Sequence, residues 1–493
     1  MSDRLMYRNE FYIGGEWVKP AGAERLGVVS PSTEEIVGEV PVATAEDMAR
    51  AVAAARAAFD EGPWPRMTPG ERADVLERAA EKLRERLPDL VEVAVDEMGI
   101  AVGHAAMHHF MVAPVFEYYA QLIRTFAFER WVVAGESAAL VISEPVGVVA
   151  AIVPWNAPVN LAAWKVGPAL AAGCAVVLKP PPEAPLSNFI LAEALHDAGV
   201  PAGVINVVPG GREVGEYLVT HPGTDKVAFT GSTEAGKRIM SLCGEQVKRV
   251  SLELGGKSAA VVLDDADLTE AVPTLVGGAM YNSGQVCAAQ TRILVPRWKY
   301  AEVLALAEAV ASGLPVGDPH DPATAVGPLV AERQRARVEG YIELAGKEGA
   351  QVVSGGRRPR HLPRGWYVEP TVLGNVDNTM RVAQEEIFGP VVCAIPYDSE
   401  EEAVRIANDS RYGLSGSVWT GDPARGLAVA RRVRTGVLTI NQHHAPMPMV
   451  PFGGFKESGL GRELGPEGLA GCLESRTIGI PPTLARGNSP RSV

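Results

Sequence analysis

Three residues far apart in the chain have the types and surroundings that acyl chemistry needs. Cys287 sits in MYNSGQVCAAQ, residues 280–290, with polar and glycine residues on one side and two alanines on the other. Its neighbours Asn282, Ser283, Gly284 and Gln285 are loop and cap types, so the thiol is expected at a helix N-terminus, where the dipole favours a thiolate. Cys174 in GCAVVLKP and Cys393 in VVCAI stand in apolar strands and read as core filler. Glu253 in SLELGGKS is a carboxylate in an apolar strand closed by two glycines. It reads either as a strand-end glutamate in solvent or as a desolvated general base of raised pKa. Asn156 in VPWNAP lies just past a strand end, where its amide either makes a turn or donates to a developing oxyanion.

A fourth stretch, FTGSTEAGKR at 229–238, matches the phosphate loop GxxxxGK[ST] until Arg238 takes the place of the magnesium-binding hydroxyl. It reads instead as a helix N-terminus whose free N–H groups, from Ser232 onward, meet a pyrophosphate. No metal site is expected: the nine histidines contain no HExxH, and His108–His109 and His443–His444 are adjacent pairs that cannot share a helix face. These histidines read as surface or pocket-lining residues.

The elements that must position these groups alternate. TAEDMARAVAAARAAF, 44–59, has helical periodicity behind a Thr44 and Asp47 start, and 70–98 reads as a second amphipathic helix ended by Gly99. From 146 a βαβαβ pattern begins: VGVVAAIV, CAVVLKP, VINVVPG, DKVAFTG and RVSLELGG are strands separated by helical stretches. That pattern predicts a parallel sheet covered on both faces, with ligands at its carboxyl edge. A second alternation starts at SAAVVLDD, 258–265, and runs to about 440. Residues 126–145 and those after about 472 fit neither unit and read as short strands at an oligomer edge, and the tail IGIPPTLARGNSPRSV reads as partly mobile.

With 493 residues, 47% of them hydrophobic and 21% charged, the chain has material for two or three domains. A formal charge of −13 argues against a broad basic surface for nucleic acid or anionic lipid, and a small-molecule ligand is expected. MSDRLMYRNEFYIGGEW has no apolar leader core, and VGVVAAIV is stopped by Pro154 well short of a membrane span, so a cytoplasmic protein is expected. Five widely spaced cysteines without a CxxC pair predict free thiols.

With Asn156, Glu253 and Cys287 in that order, and with PWNAP, KPPPEAP, FTGSTEAGK, LELGGKS, GQVCAA, EEIFGP and PFGGFKESGLGRE along nearly the whole length, the chain resembles the NAD(P)-dependent aldehyde dehydrogenase superfamily, hydrolytic type. The spacing of 34 between Glu253 and Cys287 (287 − 253) is also similar to the family's. The resemblance implies an α/β fold of two doubly wound domains: a Rossmann-like cofactor domain at 1–125 and 146–256, and a catalytic domain at 257–457. Small β oligomerisation segments at 126–145 and 472–493 would then build a homodimer or homotetramer. It implies that Cys287 attacks the aldehyde, that Asn156 and the Cys287 backbone N–H hold the oxyanion, and that Glu253 activates the hydrolytic water. Lys165 with Glu474 resembles the family's proton path. Lys179, Glu386 and Phe388 would hold the cofactor, beside Trp155, Gly231, Ser232 and Gly255.

One departure concerns the cofactor. Three residues after Lys179 many NAD-preferring members carry a glutamate, but here Pro182 stands there and Glu183 follows. NAD is the expected cofactor, with NADP admitted because that carboxylate is missing and Glu183 reaching the ribose if the loop shifts. The residue after the oxyanion asparagine is Ala157 rather than an aromatic, which widens the pocket; Trp164, Val286, Ala288 and His443 with its loop 443–449 resemble the remaining wall. With no Arg or Lys and no aromatic cage among them, a medium or bulky apolar aldehyde is expected. A coenzyme A-acylating dehydrogenase is the nearest alternative; an ATP hydrolase and a protein keeping the fold without activity are more distant ones.

Overall fold

A computed structural model describes residues 6–135, 137–443 and 446–481. The start of the chain, His444 with Ala445, and residues 482–493 of the C-terminal tail lie outside the described residues.

The apolar runs from 146 to 253 assemble as the alternation requires. The strands Ile205–Val207, Ala175–Lys179, Val148–Ile152, Lys226–Thr230 and Arg249–Glu253 lie side by side in that order, all parallel. Winding starts at Val148–Ile152 and proceeds first one way and then the other, so the switch point falls between this strand and Lys226–Thr230. Residues beyond the carboxyl ends of these two strands therefore face one crevice. Successive side chains of Val148–Ile152 feed opposite cores: Val149 and Ala151 pack with Leu76, Phe116, Leu170 and Phe189, whereas Val148, Ala150 and Ile152 pack with Met48, Val52, Leu218 and Leu242. A strand buried on both faces has no place for a polar residue until it ends.

The same sheet gains antiparallel edges that the alternation does not announce. Phe11–Ile13 pairs with Glu16–Val18 and with Ile205–Val207, and Gly459–Leu460 pairs with Arg249–Glu253. Gly14 and Gly15 turn the first hairpin with φ of 68° and 88°, so FYIGGEWV was a readable hairpin signal. Thr44 caps the helix Ala45–Asp60 in a reciprocal capping box with Asp47, as expected. The helix expected over 70–98 is two helices, Pro69–Glu85 and Leu87–Met98, broken at Arg86 because Pro88 enters the first turn of the second; Gly99, φ 73°, ends it.

The second sheet runs Gln351–Ser354, Thr371–Gly374, Val391–Tyr397, Arg292–Pro296, Ala259–Val262, Gly416–Trp419, Thr439–Ile440, parallel except at the first strand. It too winds both ways from Ala259–Val262. Helices Leu268–Met280 and Tyr300–Gly313 cover one face, and Glu332–Lys347, Glu400–Asn408 and Pro423–Ala430 the other. Glu129–Ala134, Ser137–Pro145 and Leu473–Ile480 form a separate three-stranded antiparallel sheet.

Helix Leu186–Asp197 follows PPPEAP and has no side-chain cap of its own. Buried Glu97 supplies it, accepting from the N–H groups of Leu186 at 2.7 Å and Ser187 at 3.2 Å. Replacing Glu97 by Ala is expected to cost about 2 kcal/mol in urea denaturation, because it removes the cap and leaves buried donors unpaired. Burial pushes the Glu97 carboxyl up from its ordinary 4.5 to about 7. A folded value above the unfolded one means the stability it confers is complete below 4.5 and lost as pH rises through 7. Wild type should therefore lose stability over that window relative to Glu97→Gln.

Candidate active site

The Cys287 loop lies where the two sheets meet. The chain leaves the first sheet at Glu253, crosses at Gly255–Gly256 and enters the second at Ala259. It then passes through one helix and returns to start the strand Arg292–Pro296, which is parallel to Ala259–Val262 with Ala259 opposite Arg292. Glu253 and Cys287 thus sit on either side of the amino end of one strand pair. The spacing of 34 is the length of a single strand–helix–return unit. Gly256 makes the contact: a Cβ there would fall 2.4 Å from the Cys287 carbonyl oxygen.

Cys287 is not at a helix N-terminus. Helix Leu268–Met280 ends before it, and the next α-helix begins at Tyr300. Asn282, Ser283 and Gly284 have φ of 49°, 56° and 73°, a left-handed run that asparagine and glycine tolerate best. The run is tied down: Ser283 Oγ donates to Gly327 O at 2.8 Å, and Gln285 Oε1 accepts from Val330 N at 3.0 Å. The cap-like residue types thus build a turn, and no dipole lowers the thiol. Burial first, then the Glu386 and Glu253 carboxylates, push the Cys287 thiol up to about 12; the backbone N–H groups of Ala288 and Cys287 oppose this. The other four cysteines are buried.

Asn156 lies past the carboxyl end of Val148–Ile152, in the crevice at the switch point. Its Nδ2 donates to Gln285 O at 2.9 Å, and its backbone carbonyl accepts from Asn282 Nδ2 at 3.0 Å. The amide is therefore locked to the Cys287 loop with its second N–H available. Glu253 ends its strand opposite Thr230 on one side and Gly459 on the other. It is buried, and neither carboxylate oxygen has a hydrogen-bond partner. Burial, then repulsion from Glu463, hold its carboxyl well above the usual range, with Lys165 and Arg462 pulling the other way. Gly453 leaves the room this carboxylate occupies: a Cβ there would lie 2.7 Å from Oε1.

The partner expected for Lys165 is replaced. Buried Lys165 pairs with Glu463 and reaches Thr230 Oγ1 at 2.5 Å. Glu474 lies on the strand Leu473–Ile480 and pairs with Arg249 at the surface. The strand turns Glu474 away from the core, while the bridge between Glu463 and Phe452 brings Glu463 inward. Glu463 was visible as the last residue of PFGGFKESGLGRE, a motif whose glycines signal close packing.

A cleft of about 240 Å³ joins Cys287 and Asn156 to several of the cofactor candidates; its wall includes Trp155, Asn156, Thr230, Gly231, Ser232, Gly255, Cys287, Glu386 and Phe388. Ser232 caps the 13-residue helix Thr233–Glu245, accepting from Ala235 N at 3.3 Å, so the first-turn N–H groups open on the cleft. Glu386 accepts from Gly256 N at 3.0 Å and is pushed up to about 7 by burial. Gly255 makes space for it, since a Cβ there would be 2.4 Å from Glu386 Oε2. Phe388, held at φ 63°, meets Trp155 edge to face at 5.3 Å. Lys179, at the end of its strand, is buried and donates to Gly210 O at 2.6 Å and Pro180 O at 3.1 Å. Glu183 pairs with Arg333. Arg333, Gln334 and Arg337, which sequence reasoning missed, come from a helix of the second unit and carry no motif of their own.

On the other side of Cys287, Ala157 is buried at the start of helix Pro158–Ala172, and Trp164 meets Phe452 edge to face at 5.1 Å. Val286 and Ala288 pack into the same core cluster as Trp164. His443 is exposed and lies against Gly278, where a Cβ would be 2.5 Å from Nδ1. His108 packs on Tyr281, and His109 is buried with Nδ1 2.9 Å from Ala105 O.

Two doubly wound sheets joined at a glycine pair, with a thiol, an amide and a buried carboxylate gathered at a nucleotide-type crevice, define an oxidoreductase of the dinucleotide-dependent class. The sequence model of the aldehyde dehydrogenase family matches residues 17–478. Geranial dehydrogenase of Castellaniella defragrans is 47% identical over 470 residues, covering 95% of this chain and 98% of the relative. The 3-succinoylsemialdehyde-pyridine dehydrogenase of a Pseudomonas species is 43% identical over 479 residues, covering 95% and 98%. An aldehyde dehydrogenase of Mycobacterium tuberculosis, solved with NAD+, superposes with a TM-score of 0.95 at 46% identity, covering 97% of this chain and 99% of that one. A variant of an aldehyde dehydrogenase of Pseudomonas syringae, solved with NAD+ and octanal, gives 0.92 at 43% identity, covering 96% of each. The chain belongs to the aldehyde dehydrogenase family.

The raised Cys287 thiol has a direct consequence. Iodoacetamide labelling of Cys287 in the cofactor-free protein, followed by peptide mass spectrometry, should climb about tenfold per pH unit between about pH 7 and 10, because only the thiolate reacts. Glu386→Gln should speed labelling several-fold at about pH 8 by removing one opposing charge. A plateau near an ordinary thiol pKa would contradict this environment.

Proposed function

We propose that the protein oxidises a medium-sized or bulky apolar aldehyde to its carboxylic acid with NAD, through a thioester on Cys287. The observation that carries this reading is that the Cys287 thiol and Asn156 amide share one cleft with Thr230, beside whose strand position stands the unpartnered carboxylate of Glu253. In the proposed sequence the thiol proton leaves through Glu253 and the sulfur bonds to the aldehyde carbon. The carbonyl oxygen becomes an alkoxide, held by the free N–H of Asn156 and the Cys287 backbone N–H. Lys179, the Thr233–Glu245 helix N-terminus, Glu386 and Phe388 would hold NAD, which when bound would accept the hydride from the aldehyde carbon, so that the alkoxide closes to the thioester carbonyl. Glu253 then takes a proton from water, whose oxygen attacks the thioester carbon, and the C–S bond breaks to release the acid and the thiolate. Its raised affinity for protons makes Glu253 a stronger base than an exposed carboxylate. Lys165, Glu463 and Thr230 offer the proton a path onward.

The substrate class rests on the edge-to-face pair Trp164–Phe452, the small Ala157, and relatives that act on geranial or bind octanal. An unobstructed base, Glu253, favours hydrolysis over transfer to coenzyme A. Arg238, committed to Glu216 at 2.5 Å, occupies the position that an ATP hydrolase needs for a hydroxyl. We further assign cofactor binding to residues 1–125 and 146–256, the thiol chemistry to 257–457, and homo-oligomer contacts to the three-stranded sheet, whose Val132, Val133 and Ile478 are exposed. A cytoplasmic location fits five free cysteines; among the described residues no helix is long and apolar enough to cross a membrane.

Cys287→Ala should abolish aldehyde oxidation while NAD still binds. Glu253→Gln should slow thioester hydrolysis by roughly 10²- to 10⁴-fold, so that an acyl-enzyme adduct accumulates in intact-mass spectra. Octanal, geranial and benzaldehyde should be turned over faster than succinic semialdehyde or betaine aldehyde, and free acid should form with or without coenzyme A. The reverse order of substrates would refute the apolar pocket.

A further inference from the structure

Behind the wall of the cleft stands a buried cation that the thioester chemistry does not use. Lys257 follows the glycine pair, is 1% exposed, and its Nζ has no hydrogen-bond partner. An ammonium out of water is costly unless a counter-charge offsets it. The backbone shows which way this one points. A Cβ at Gly255 would meet the Glu386 carboxylate and one at Gly256 the Cys287 carbonyl, so successive residues of the crossing face opposite sides and Lys257 returns to the side of Glu386. Two residues further on, Ala259 and Val261 face the cluster that holds Val382, Ala383, Ile387 and Cys393, and the same alternation carries Lys257 under the segment that presents Glu386. Glu386 itself accepts from Gly256 N at 3.0 Å, one residue from the lysine.

Its counter-charge follows by elimination. Burial first weakens the hold of Lys257 on its proton, and the groups felt there after it are Cys393, Arg292, Glu386 and Glu385, in that order. Burial pushes the Cys393 thiol up, so it is neutral near neutral pH. Arg292 is a second cation, engaged with Lys257 O, Asn378 Oδ1, Ile406 O and Ala407 O. Glu385 is held by both arms of Arg381, at 2.7 and 3.0 Å, and by the Tyr341 hydroxyl. That leaves Glu386. The other cations felt at Glu386, Arg337 and Arg411, are exposed. Arg337 Nη2 donates to the Glu386 backbone carbonyl at 2.6 Å, and Arg411 pairs with Glu457 at 3.0 Å.

We propose that Lys257 is a positioning residue for the cofactor: its buried ammonium is the counter-charge that keeps the Glu386 carboxylate seated on the Gly256 N–H, where it accepts from a ribose hydroxyl. The proposal rests on reading this cleft as the dinucleotide site, with Glu386 among its contacts. Burial pushes the Glu386 carboxyl up to about 7, and the Gly256 N–H, Arg337, Lys257 and Arg411 oppose this. A carboxylate accepts at both oxygens, whereas a neutral carboxyl group turns one of them into a donor. Without Lys257 a larger share of Glu386 is protonated at neutral pH, and the ribose loses its acceptor. The Cys287 thiol also faces Glu386, but it is pushed up to about 12 and stays protonated over this range. Salt screens the exposed Arg337 and Arg411 and does not reach Lys257.

The test is calorimetric binding of NAD to the full-length protein without aldehyde, as a function of pH, for wild type, Lys257→Met, Lys257→Arg, Glu386→Gln and the double variant Lys257→Met with Glu386→Gln. Wild-type affinity is expected to fall as pH drops through about 7. In Lys257→Met the fall should begin about one pH unit higher, so that NAD binds about fivefold more weakly at about pH 7 and nearly as in wild type at about pH 9. Lys257→Arg keeps the charge and should restore the wild-type profile, and high salt should leave the Lys257→Met shift in place. In the Glu386→Gln background Lys257→Met should change nothing. The Tm of Lys257→Met should not fall, because an unpaired buried ammonium is exchanged for an apolar chain of similar length; if that variant does not fold, Lys257→Gln carries the same test. Infrared spectra of the cofactor-free protein read the protonation of Glu386 directly, as the carboxylic-acid band that Glu386→Gln lacks. A band midpoint that does not rise in Lys257→Met, a binding loss equal at every pH, or a loss that persists in the Glu386→Gln background would overturn the proposal. A raised midpoint with NAD binding unmoved or absent would uphold Lys257 as the counter-charge while refuting the reading of Glu386 as a ribose contact.

Discussion

The approach of two backbones at Gly255 and Gly256 is the constraint on which the rest of this site depends. The crossing between the two sheets must bring the end of one strand against the loop before another, and it does so at van der Waals contact. A side chain at 256 would collide with the Cys287 carbonyl, and one at 255 with the Glu386 carboxylate. Both collisions fall far inside any distance that a carbon atom tolerates, and one of them is with backbone, which cannot rotate away. Glycine here is therefore a requirement of assembly. The Cys287 thiol and the Glu386 carboxylate line one cleft, and the two glycines leave them the room.

That volume is expensive. Glu253 is buried without a hydrogen-bond partner, Glu463 leaves one oxygen unpaired, and the Cys287 loop holds three successive residues in the left-handed region. A sequence selected for stability alone would replace the carboxylates with apolar residues and the turn with a regular one. Lys165 offsets part of the cost through Glu463 and Thr230, and the paired sheets offset the rest by burying nearly continuous aliphatic strands. The thiol is subject to the same economy of charge: burial and two nearby carboxylates, with no helix dipole to oppose them, raise its hold on its proton.

Much of the fold was readable because the signal was local. Thr44 and Asp47 are three residues apart and meet in one helical turn; the aliphatic runs of the parallel strands exclude any partly exposed element. The break at Arg86 was missed because periodicity continues across it, although Pro88 marked it. The hairpin at Phe11–Val18 was missed because its strands are only three residues long. At Cys287 the residue types pointed correctly to a special backbone but to the wrong one, since asparagine, serine and glycine serve both helix caps and left-handed turns.

By itself the sequence determined the strand and helix alternation, the glycine pair at 255–256, and the three chemical groups, because each depends on neighbours within a turn or a strand. Only the tertiary structure decided which carboxylate Lys165 meets, what Glu183 holds, and that the Cys287 thiol lacks a helix dipole. Lys165 and Glu463 are 298 positions apart, and Glu183 and Arg333 150. At such separations spacing carries no information about contact; which side chains meet is settled by how the sheets stack and which way each strand end points.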